Sequence, residues 1–139
     1  EQVSIKSQAS SEVFSLDFDL TTEQKFNTVF IAELLSGNEL LTTQTATFIP
    51  DKHVNYANPE LTASIEIVDK TATITVSAKS LARHVEVKLS GLDAVFSDNY
   101  FDIPAGASRV ITCDVAEDST VSELEEKLSI MHLFESYQN

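Results

Sequence analysis

Between residues 60 and 115 apolar side chains recur at every second position. Ala63, Ile65 and Ile67 alternate with polar neighbours, as do Ala72, Ile74 and Val76. Both runs predict strands with one face in a core. They flank Asp69-Lys70, so residues 61–68 and 72–78 are expected to form a hairpin about that pair. Val85, Val87 and Leu89 alternate with Glu86 and Lys88 in a strand from Arg83 to Ser90, and Ile111, Cys113 and Val115 mark another from Ser108 to Val115. Between them lies a corner. Ser90-Gly91 breaks the first strand, Ala94-Val95-Phe96 is a short apolar piece, and Ser97-Asp98-Asn99-Tyr100-Phe101-Asp102 holds two rings between polar turn-formers. Tyr100 and Phe101 are expected to lie wedged between two sheets. Pro104 and Gly106 suit the second and fourth places of a type I turn that closes the corner.

The N-terminal third repeats the theme. Val3-Ser4-Ile5 reads as a short opening strand, and Val13–Leu20 alternates strictly enough to predict a half-buried one. Thr21–Lys25 is polar and is expected to be a loop. Phe26–Leu35 and the Thr-rich Glu39–Ile49 flank Ser36-Gly37-Asn38 as a hairpin. Pro50–Pro59 is the longest irregular stretch, of the kind that carries a chain from one sheet to the other. The C-terminal end changes character: Thr120 with Glu123 matches a capping box, and Val121, Leu124 and Leu128 fall on one helical stripe. Ile130–Phe134 is apolar on both alternating sets and must cover something. Strands at this spacing predict an all-β, two-sheet antiparallel sandwich of seven to nine strands over residues 1–118. Residues 119–139 are then a short helix and apolar tail, packing on the sandwich or on a neighbouring domain.

Composition narrows the partners. The 139 residues suit one domain. Nine Lys plus Arg stand against 22 Asp plus Glu, a formal net charge of −13, which repels nucleic-acid phosphates and anionic membranes. No apolar run reaches the roughly 18 residues of a membrane span. Glu1 in place of Met points to a segment of something longer. The lone Cys113 excludes an internal disulfide and fits a reducing, cytoplasmic compartment; its alternating position predicts a buried, inert thiol.

Leu81-Ala82-Arg83-His84-Val85, followed by Ser97–Asp102 and a Pro/Gly turn, resembles the C-terminal immunoglobulin-like domain of β-mannosidases of glycoside hydrolase family 2. The likeness is most specific from about Asn58 to Val115, and the SDNYFD block is its most distinctive part. Ala107 departs from it, since family members often carry an acidic residue just after the turn glycine. The resemblance implies an immunoglobulin-like sandwich acting as a non-catalytic accessory domain. Its partners would be the remaining domains of a parent enzyme that hydrolyses terminal β-D-mannose with two glutamates outside this segment, and through them an oligosaccharide at the parent's active site. An independent carbohydrate-binding or adhesive module is the rival reading.

The candidate chemistry is sparse. Asn38-Glu39 resembles the Asn-Glu pair of the parent family's acid/base carboxylate, but it sits in a hairpin turn. Retaining hydrolysis needs two carboxyls about 5 Å apart on a rigid scaffold, and the barrel that supplies one takes about 200 residues. We therefore expect no catalytic residue here. Asp98, Asn99 and Asp102 are oxygen ligands close in sequence, yet turn capping explains them without a metal. Asp17 and Asp19 read as a solvated strand face. His53, His84 and His132 are scattered, so no metal or cofactor is expected; Arg83 and His84 are placed to bond Asp98 or Asp102. Sugar-binding modules present aromatic platforms, and there is no Trp. Tyr100 reads as core. Tyr56, beside His53 and Asn55 in the crossover loop, is the best remaining candidate for touching a sugar or a neighbouring domain. Asp98, Asn99, Tyr100, Phe101 and Asp102 are expected to form the structural corner.

Overall fold

A computed structural model of the chain describes Ser7, Glu12 and residues 15–137. Its elements run α1 (Thr22–Asn27), β1 (Val29–Ser36), β2 (Glu39–Thr47), a 3-10 turn (Asp51–His53), β3 (Thr62–Val68), β4 (Thr71–Ser77), β5 (Ala82–Leu89), β6 (Phe101–Ile103), β7 (Ser108–Asp114), α2 (Val121–Lys127), β8 (Leu128–Met131) and α3 (Leu133–Ser136). Every named pairing is antiparallel: β1-β2, β3-β4-β7 and β6-β5-β8.

The two three-stranded sheets form the sandwich. Ile65, Ala72, Ile74, Val76, Ile111 and Cys113 of one meet Ala82, Val85, Val87, Leu89, Phe101 and Ile103 of the other in a single apolar cluster, closed at one end by Leu124 of α2. The period-two pattern places these residues. β4, central in its sheet, buries Ala72, Ile74 and Val76 completely while its threonines remain half-buried. The β3-β4 hairpin turns at Asp69-Lys70, as expected, with Asp69 at φ +56°. The chain changes sheets at Ala78–Leu81 and returns between β6 and β7. It changes again through α2, so that β8 pairs with β5.

Four expectations need correction. Residues 15–20 form no strand: they have no ladder partner, and all but Leu20 are exposed. Alternation reports a local two-sided pattern, whereas a strand also needs a neighbour. Phe18 instead meets the rings of Phe30 and Phe48, at centroid distances of 5.7 and 5.4 Å. Val13 and the Val3–Ile5 strand lie outside the described residues.

The polar stretch from Thr21 is a helix and not a loop. The Thr21 hydroxyl accepts from Gln24 N at 3.3 Å and Gln24 Oε1 accepts from Thr21 N at 2.9 Å, a complete capping box. The closing turn is shifted by one residue: Ala107 N donates to Pro104 O at 3.0 Å, which puts Gly106, at φ +73°, third and not fourth. A glycine there frees the turn from the type I form. Finally, the C-terminal stripe does not run as one helix. Leu124 is buried and Val121 exposed, while Leu128 leaves α2 to begin β8. Thr120 does cap α2, its hydroxyl accepting from Glu123 N.

Burial at the sheet–sheet interface fixes what core truncation should cost. Ile74→Ala and Ile111→Ala, at fully buried sites, should each lower unfolding free energy by about 2–5 kcal/mol. Val95→Ala, at a site 83% exposed, should change it by less than about 0.5 kcal/mol. Urea denaturation of the three variants checks this; a Val95 loss equal to that of Ile74 would contradict the assigned core.

Candidate functional site: the bulged corner and its groove

β5 does not run evenly past β6. Ala82 pairs with Ile103 and Val85 with Phe101, so Arg83 and His84 together face Asp102 alone. This is a β-bulge, with His84 in the left-handed region at φ +50°. The sequence carries its signature: the inward positions 82, 85, 87 and 89 are spaced by three residues once and by two thereafter. Asp102 secures the bulge by accepting from His84 N at 2.9 Å.

The bulge also turns Arg83 into the protein, where its side chain is 9% exposed. A buried guanidinium needs compensating charge and acceptors. Asp51 Oδ1 accepts from Nη1 at 3.1 Å, and the Tyr56 hydroxyl lies 3.1 Å from the same nitrogen. Asp102 Oδ2 sits 2.8 Å from Nε, an ion pair whose angle departs from hydrogen-bond geometry. Tyr56 in turn donates to Asp51 at 2.5 Å. Burial, then the bond to Asp51, pushes the Tyr56 phenol well above its ordinary value of 10.0. The crossover loop and the corner are thus tied to one cation.

The rest of the SDNYFD block does comparable work. Asn99 copies a strand with its side chain: Oδ1 accepts from Val87 N at 2.8 Å and Nδ2 donates to Val87 O at 2.9 Å. Asp98 accepts from Asn99 N and pairs with Arg109 Nη2 at 2.5 Å. Phe101 is buried, with the Arg109 guanidinium 5.9 Å from its ring centroid. Of the hydrogen bonds expected from Arg83 and His84, Arg83 meets Asp102 as an ion pair only and His84 reaches it through its backbone N and not its ring, while Asp98 bonds Arg109 instead.

Tyr100 overturns its expected place in the core. Its backbone is left-handed (φ +58°), which turns the ring outward to 64% exposure while Phe101 takes the core position. Strict alternation cannot put two consecutive rings on one face. The Tyr100 hydroxyl donates to Glu86, which also pairs with Lys88 at 2.9 Å. That phenol bond, more than Lys88, holds the Glu86 carboxyl below its usual range; the carboxylate in turn raises the Tyr100 phenol.

The loop candidates divide. His53 is exposed on the 3-10 turn. Asn55 faces α1, donating from N to Phe26 O at 2.8 Å and from Nδ2 to Asn27 Oδ1 at 3.0 Å. Tyr56 spends its hydroxyl internally, yet it lines a groove of about 360 Å³ with Asn55, Phe134 and Tyr137. That groove joins the crossover loop to the apolar tail. Glu39 is exposed at the start of β2, opposite Ser36. Cys113 is buried, and burial pushes its thiol upward. Among the described residues no group of three His, Cys, Asp or Glu side chains is placed to hold a metal ion, and no helix is long and apolar enough to cross a membrane.

Sequence reasoning missed a second groove, of about 380 Å³, between Thr42–Thr45 of β2 and the corner. No local pattern announces it, because its walls lie some forty residues or more apart in the chain.

The architecture is that of an immunoglobulin-like domain, two antiparallel sheets closed over one core. A family model for the Ig-fold domain Ig_mannosidase matches residues 56–136, from Tyr56 through β3–β8 into α3. The chain belongs to this mannosidase Ig-fold family. No curated protein matches it. The β1-β2 hairpin lies outside the matched span.

The raised Tyr56 phenol has a consequence for pH. The native state holds that proton more tightly than the unfolded chain, so the stability it contributes is present below about pH 10 and is lost as pH rises further. Tyr56→Phe should cost about 1 kcal/mol at pH 7 and flatten the fall in stability above pH 10. Denaturation at pH 7, 9 and 11 checks it; an equally steep alkaline fall in the variant would contradict the assignment.

Proposed function

We propose that this chain is the non-catalytic accessory domain of a β-mannosidase-like enzyme of glycoside hydrolase family 2, whose parent removes terminal β-D-mannose residues. The membership over residues 56–136 is the observation that carries the reading. The chemistry agrees with it. The polar side chains of the corner are engaged with β5, β7 and the crossover loop, and the buried Arg83 is compensated within the domain. Such a corner stiffens a sandwich.

The partner surface we infer is the groove where Asn55 and Tyr56 meet Phe134 and Tyr137. It gathers the two segments with most reason to be covered, the crossover loop and the C-terminal tail. Tyr137 is 50% exposed there, and exposed aromatics mark the anchors of protein interfaces. Packing by the parent's other domains would cover it and stabilise both sides. The single buried thiol fits a cytoplasmic setting.

The full gene product tests this. We expect it to hydrolyse 4-nitrophenyl β-D-mannopyranoside, and residues 1–139 alone to leave that substrate intact. Hydrogen exchange at residues 52–56 and 133–137 should be slower in the full protein than in the isolated chain. Hydrolysis by the isolated chain, or equal exchange in both forms, would contradict the accessory role.

A further inference from the structure

The β1-β2 hairpin stands outside both the sandwich core and the matched span. The core cluster takes no residue from Val29–Ser36 or Glu39–Thr47, and the family match begins only at Tyr56. A two-stranded sheet buries too little to hold by itself; three or more strands are ordinarily needed. The tip of this one is apolar all the same. Leu34, Leu35, Leu40 and Leu41 are between 45% and 52% exposed. Leu35 lies opposite Leu40, and Leu41 is the extra residue at the register shift.

Thr42–Thr45 of β2 face the corner across a groove, which leaves β1 as the outer edge of the hairpin. Among the described residues β1 pairs with β2 alone. Natural edge strands are guarded by Lys, Pro or several charges; β1 has neither Lys, Arg nor Pro, and its single charge is Glu33. We propose, on the strength of the accessory role, that β1 is a docking edge: an antiparallel strand of the parent chain pairs along it and lays apolar side chains over the four leucines.

Charge selects the occupant. Glu33 and Glu39 are the only charged side chains of the hairpin. Asp17 and Asp19 stand exposed on either side of Phe18, which packs on Phe30 and Phe48. An apolar strand flanked by Lys or Arg complements such a surface. A second copy does not, because each chain carries −13 and a twofold pairing centred on β1 sets two Glu33 carboxylates near one another. An anionic membrane is repelled by the same charge.

Hydrogen exchange of the full gene product against residues 1–139 tests the docking edge. Exchange over residues 29–41 is expected to be about tenfold slower in the full protein. Leu34→Ser with Leu41→Ser, both outside the core, should leave the urea midpoint of the isolated chain unchanged and abolish that protection. Glu33→Lys with Glu39→Lys should weaken it by reversing the charge. Equal exchange over 29–41 in both forms, whether the edge is open or covered by residues 1–14, would overturn the proposal. So would protection that appears in the isolated chain as its concentration rises, the mark of a second copy, or protection that survives both double variants. Protection at 52–56 and 133–137 without protection at 29–41 would leave the accessory role standing and remove the β1 edge alone.

Discussion

One buried cation organises the bulged end of this domain. Arg83 points inward because β5 carries one residue more than β6 at that place, and two separate stretches of chain converge to compensate it. Asp51 and Tyr56 come from the crossover loop, and Asp102 from the corner. Taking a guanidinium from water costs several kcal/mol, recovered only when geometry and acceptors are good. The arrangement therefore fixes relative positions more than it adds stability. Remove the cation, and two carboxylates at the end of a sandwich lose the partner that placed them.

The rest of the corner follows from that constraint. With the bulge set, β6 is only three residues long, and Asn99 supplies with its side chain the two bonds to Val87 that a longer strand would have given. Asp98 holds Arg109 of β7, in the opposite sheet, so the corner clasps both layers of the sandwich. The aromatic pair divides accordingly, Phe101 to the core and Tyr100 to solvent. Membership in the mannosidase Ig-fold family is consistent with a domain whose polar residues serve its own geometry.

Much of this was legible in the sequence. Both hairpins, β5, β7, the capped α2 and nearly every core residue follow from periods of two and 3.6. The SDNYFD block marked the corner and pointed to the family. What escaped was whatever depends on pairing between distant segments. The stretch from Ser15 to Leu20 alternates but has no neighbour. Tyr100 and Phe101 both read as core, because the left-handed backbone of Tyr100 has no sequence signal apart from the adjacent asparagine. The capping box at Thr21 was readable in Gln24 and masked by surrounding polarity. The Arg83 network joins residues as much as 51 positions apart (Asp51 to Asp102), and the groove beside it depends on where β2 comes to lie.

The central claim is that a compensated Arg83 holds the crossover loop and the corner together. Urea unfolding of Arg83→Met, which keeps an apolar stem and deletes the charge, tests it most directly. Removing one partner of a buried ion pair costs about 3–5 kcal/mol; because Asp51 is 30% exposed, a loss near the lower end, about 3 kcal/mol, is expected. Stability within about 0.5 kcal/mol of the parent chain would show that the loop and corner hold their places without the cation, and would contradict the account.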